Sequence, residues 1–133
     1  MFRRFFTKPK APLTGAPAVR RMKTYSAQSG YVYQYVYEGQ RAAEEAGERM
    51  VEFVFHIAGD RKTWNDLSVL LSIAAIESWE KANARELSAT ERYAIAKIAL
   101  FQAFDERSAP AQMREHVRVR IADIDGIVET LGL

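Results

Sequence analysis

His56 and His116 are the only imidazoles in the chain, and there is no cysteine. A metal centre draws several His, Cys or carboxylate ligands to one point. Glu52 precedes His56 by four residues, in a run whose alternation reads as a strand. Four strand residues span roughly 13 Å, too far for that pair to chelate one ion, so His56 reads as a boundary or surface residue. His116, near Arg114 and Arg118, reads as a solvated loop residue, with a phosphate contact as its alternative role. Asp123-Ile124-Asp125-Gly126 matches only the opening of a calcium loop, without the later ligands or the closing glutamate. Acidic residues in the first turn of a helix are explained by the macrodipole. No metal and no cofactor is expected.

Covalent and acid–base chemistry find equally little. A nucleophilic serine needs a base and a group to orient it. Ser68, Ser72, Ser78 and Ser88 sit in no such motif, and Ser72 and Ser88 are better placed as helix caps. Glu77/Glu80 and Asp105/Glu106 would exchange protons usefully only if buried together, and outward helix faces solvate them. Phosphate loops need clustered glycines, but no two glycines here are closer than six residues. The missing cysteines exclude disulfides, thiol nucleophiles and thiolate metal sites, and they fit a reducing, cytoplasmic setting.

Two features point to binding instead. The first is Tyr31-Val-Tyr-Gln-Tyr-Val-Tyr37, a strand pattern that puts Tyr31, Tyr33, Tyr35 and Tyr37 on one face. Such a ladder either stacks single-stranded bases or packs beneath helices with its hydroxyls at the rim. Packing is favoured, because no cation is interleaved and Glu38 follows. The second feature is a basic start. Arg3, Arg4, Lys8, Lys10, Arg20, Arg21 and Lys23 fall within the first 25 residues with no acid among them. The whole chain has a formal net charge of +2, so the remainder is net acidic. A basic arm on an acidic body suits an anionic partner, with nucleic acid or a ribonucleoprotein favoured. Phe2, Phe5 and Phe6 add a possible contact with an anionic membrane surface. Arg118 and Arg120 form a possible second binding pair.

The elements that must position these residues follow from periodicity. Three of the four prolines (Pro9, Pro12, Pro17) and Gly15 make residues 1–24 an irregular arm, expected to be disordered. After Arg3 and Arg4 only Phe5 and Phe6 precede Thr7, Lys8 and Pro9, so neither a secretory leader nor a helical transit peptide is expected. No apolar run approaches the ~20 residues of a spanning helix. The tyrosine strand is followed by a loop over residues 39–49, a strand from Met50 to Ile57 and a third from Trp64 to Leu71. Ser72 caps a helix to about Ala84, with Ile73, Ile76 and Trp79 on its buried side. Ser88-Ala-Thr-Glu91 is a capping box for a helix to about Asp105. That helix is apolar around most of its circumference and should be the central one. Val117, Val119 and Ile121 alternate with Arg118 and Arg120 as a short edge strand, and a last helix starts near Asp123.

The 133 residues, 48% hydrophobic and 27% charged, suffice for one folded domain. The expected fold is α+β, in the order β-β-β-α-α-β-α. A mainly antiparallel sheet of about four strands is covered on one face by two or three helices, with the domain spanning residues 25–133. The expected function is a non-enzymatic binding or adaptor domain whose basic arm meets an anionic partner. An accessory subunit of a larger assembly, or a homo-oligomer, using the arm and a sheet edge for protein contacts is the alternative. An enzyme of unrecognised type ranks third.

Overall fold

The computed structural model describes residues 10–133. Five strands and three α-helices follow in the order β1 (Lys23–Ser26), β2 (Val32–Glu45), β3 (Glu48–Ala58), β4 (Trp64–Ser72), α1 (Ile73–Asn83), α2 (Ala89–Glu106), β5 (Val117–Val119) and α3 (Ile121–Leu131). The strands form one sheet in sequence order. Pairs β1–β2, β2–β3 and β3–β4 are antiparallel, while β4–β5 is parallel. The class is α+β, but the sheet has five strands rather than about four and is mixed. Its parallel pair arises because α1 and α2 carry the chain back across the sheet between β4 and β5.

Three stretches differ from the sequence expectation; the smallest is at Ile121, expected to end the last strand but exposed at the start of α3, because the chain leaves β5 after Val119. Lys23–Ser26 pairs with Val32–Tyr35, so the first strand begins inside the segment read as an arm. Four mostly polar residues give no periodic signal, and the pairing comes instead from the turn at Ala27–Gly30. There Ala27 N–H donates to the Tyr31 carbonyl at 2.9 Å and Gly30 N–H to the Ala27 carbonyl at 3.0 Å. Residues 39–49 are not a loop: β2 continues to Glu45 and turns through Ala46 and Gly47, at φ 52° and 82°, into β3. Alanine and glutamate are weak strand formers, but partnership along a long hairpin outweighs that preference.

One face of the sheet holds the core. Tyr33, Tyr35, Phe53, Phe55, Ile57, Leu67, Val69 and Leu71 pack against Ala75, Ile76 and Trp79 of α1, Ile95, Leu100 and Phe104 of α2, and Ile124 and Val128 of α3. Tyr33 is fully buried and stacks on Phe104, with ring centroids 4.1 Å apart. Tyr25 of β1 stacks on Phe101 at 4.3 Å and donates its hydroxyl to Asp105 at 2.8 Å, fastening the first hairpin to the end of α2.

The two expected caps are in place. Ser72 accepts from Ala75 N–H, and Ser88 and Glu91 exchange both bonds of a capping box. On the opposite face of the sheet Glu52 is buried. Burial alone would raise its pKa, but the Arg41 guanidinium at 2.9 Å and the Ser68 hydroxyl together hold it below the usual carboxylate value.

Backbone pairing ties the described part of the arm to the sheet at two points. Lys23 opens β1, and Thr14 exchanges two backbone hydrogen bonds with Gln40, at 2.8 and 2.9 Å. Gly39 makes the second contact possible. A Cβ there would lie 2.9 Å from the Thr14 carbonyl and 3.0 Å from Leu13, and its φ of 127° suits glycine alone.

Candidate functional site

Between those two points the chain from Thr14 to Lys23 is longer than the stretch of β2 it accompanies, Tyr35 to Gln40. It therefore bows away from the sheet edge, and Pro17 and Gly15 (φ 87°) keep the bow from closing as a strand. Under the bow lies a cleft of about 520 Å³. Its floor is Tyr35 and Tyr37 of β2 and Tyr93 of α2, its far wall is Ala89 and Thr90, and its near wall carries Arg20, Arg21 and Lys23. Among the described residues no carboxylate lines it. The tyrosine ladder and the arm cations, separate in the sequence, meet here.

The ladder serves two purposes along its length. Tyr33 and Tyr35 are core residues, as the packing reading expects, while Tyr37 is half-buried at the cleft and Tyr31 is 40% exposed. Burial, then the neighbouring Tyr93, pushes the Tyr37 phenol up to about 12. Burial likewise raises Tyr35 and Tyr93, so all three phenols are protonated at neutral pH and can only act as uncharged groups.

The cations differ in how far they are committed. Arg20 is ion-paired with Glu38 at 3.0 Å. Arg21 and Lys23 are exposed and have no carboxylate within 4 Å among the described residues. Lys23 sits opposite Tyr35 in the strand register and so supplies the interleaved charge that the tyrosine strand itself lacks. The ammonium of Lys97 of α2 lies 6.0 Å from the ring of Tyr35, the residue opposite Lys23, and 5.7 Å from Phe101. Burial, and then the charge of Lys23, pull its ammonium pKa down. Sequence reading missed Lys97 and Tyr93. Their signal was the spacing Tyr93, Lys97, Phe101, which puts one cation in the middle of an aromatic helix face.

The remaining expected site residues lie elsewhere. Lys10 is exposed on the far side of the Thr14 contact. Arg3, Arg4, Lys8, Phe2, Phe5 and Phe6 fall outside the described residues. Arg118 is paired with Glu45 at 2.5 Å and Arg120 is exposed, both at the β5 edge, the opposite side of the sheet from Lys23. The structure does not join them to the cleft.

His56 stacks on Trp64 and bonds Asp66 at 2.8 Å. His116 is exposed, and its carbonyl accepts from Arg107 at 3.1 Å. Asp123 accepts the Arg120 N–H at 2.9 Å, which accounts for it as the cap of α3. Among the described residues no group of three or more His, Asp or Glu is placed to hold a metal ion, and no helix is long and apolar enough to cross a membrane.

The chain matches no protein-family model, no curated protein and no solved structure. Any reading of its function therefore rests on the chemistry of the cleft.

Proposed function

We propose that this protein is a binding domain that engages an anionic polymer, nucleic acid or a ribonucleoprotein, at the cleft between its N-terminal arm and its tyrosine face. The observation that carries the reading is the meeting of uncommitted arm cations, Arg21 and Lys23, with an aromatic floor in a cleft whose described lining holds no acid. Positive charge tracks a phosphate backbone, and aromatic rings offer faces to bases.

Fluorescence anisotropy with a labelled single-stranded RNA tests this. The double variant Arg21→Gln, Lys23→Gln spares the ion-paired Arg20. It should bind at least tenfold more weakly than the parent at low salt, with a melting temperature no lower than the parent's. Its plot of log affinity against log salt should be shallower by about 1.4, at ~0.7 for each single-strand phosphate that is no longer neutralised. Equal affinity and equal slope in the two proteins would contradict the proposal.

A further inference from the structure

Lys23 sits opposite Tyr35 in the β1–β2 register and the Lys97 ammonium lies 6.0 Å from the Tyr35 ring, so the two cations share that ring, with no carboxylate within 4 Å of either among the described residues. Lys97 is half-buried, and its ammonium lies 6.0 Å from the Tyr35 ring and 5.7 Å from the Phe101 ring. Two ammonium groups held together over an apolar floor repel one another, and that repulsion is stronger away from bulk water. A bound anion between them reverses the sign of the interaction. Lys23 lines the cleft, Lys97 stands at its margin beside Tyr35, and the floor beyond them is Tyr35, Tyr37 and Tyr93. A cleft of about 520 Å³ falls within the range of small-ligand sites, ~300–1,000 Å³. The anion position and the aromatic floor are thus adjacent, in the order that a phosphate and its base occupy in one nucleotide.

We infer that the cleft holds a single unstacked nucleotide of the bound strand, its phosphate between Lys23 and Lys97 and its base against Tyr37 and Tyr93. The inference rests on the nucleic-acid reading above and adds to it that an unpaired base is required. In a duplex the bases are paired and stacked, and entry would require one to be extruded at a cost that a single strand largely avoids. The site therefore selects single strands with bases over duplexes and over backbones without bases.

The test compares three labelled probes of equal length on the intact protein: a single-stranded oligouridylate, the same backbone with abasic sites throughout, and a duplex. The parent should bind the oligouridylate at least tenfold more tightly than either of the others. Lys97→Met keeps the aliphatic stem and removes the charge. It should melt at or above the parent temperature, because the repulsion with Lys23 is gone, yet bind the oligouridylate about tenfold more weakly. A merely structural Lys97 would not separate stability from binding in this way. Equal binding of all three probes, or an unchanged affinity in Lys97→Met, would overturn the inference while leaving the anionic-polymer reading in place. Absence of binding to every probe would overturn both.

Discussion

Tyr33 and Tyr37 are four residues apart on one strand face, yet their surroundings ask different things of them. Tyr33 is fully buried against Phe104, and its hydroxyl has no hydrogen-bond partner among the described residues. Tyr33→Ala should therefore cost about 3 kcal/mol or more, as buried aromatic deletions do. Tyr33→Phe, which removes only the orphaned hydroxyl, should be neutral or slightly stabilising. Thermal melts of the two variants check both, and a Tyr33→Ala protein as stable as the parent would show that the ring is not in the core.

The phenols also fix the alkaline behaviour. Burial raises Tyr33, Tyr35, Tyr37 and Tyr93, and the hydrogen bond to Asp105 raises Tyr25. A raised pKa means that the folded state keeps protons the unfolded state has lost. The associated stability is intact below the ordinary tyrosine value of 10.0 and is lost as pH rises toward about 12. Tyrosinate absorbance should lag behind a free-tyrosine titration and then rise together with unfolding. A smooth titration centred at the free-tyrosine value while the fold persists would contradict the burial. The ladder's shared face was legible in its period of two. Which rung was core and which lined a cleft was not, because that depends on where α2 stops covering the sheet.

At the scale of elements, local chemistry written in one short stretch was legible and pairing between stretches was not. Ser88 and Glu91 announce the start of α2, and the two bonds of the box are present. Ser88→Ala should cost about 1 kcal/mol, and a melt overlaying the parent curve would place the helix start elsewhere. The far half of β2 is strand because β3 lies beside it, and β1 is strand because a turn folds it back onto Tyr33 and Tyr35. Neither cause is visible in composition.

The anchoring of the arm is a third such case, resting on the absence of a side chain at Gly39. Gly39→Ala would drive a Cβ onto the Thr14 carbonyl and strain the backbone. It should cost more than about 1 kcal/mol and speed tryptic cleavage after Arg20 and Arg21. Unchanged cleavage in that variant would mean that the Thr14–Gln40 contact does not hold the bow in place.

Across the whole molecule the charge is arranged by position rather than amount. A formal net charge of +2 says little, but Arg21, Lys23 and Lys97 converge on the β1–β2 side of the sheet. Arg118 and Arg120 lie at the opposite edge, in and just after β5, where Arg118 is ion-paired with Glu45 from the far end of β2. The two basic places are thus alternative docking sites and not one stripe. Photo-crosslinking of the intact protein to a single strand carrying iodinated uracil, followed by mapping of the modified peptides, distinguishes them directly. Crosslinks at Tyr37 or Tyr93 that disappear in the Arg21→Gln, Lys23→Gln variant are the result expected if the cleft is the binding site. Crosslinks confined to the stretch around Arg118 and Arg120, unaffected by that variant, would contradict it.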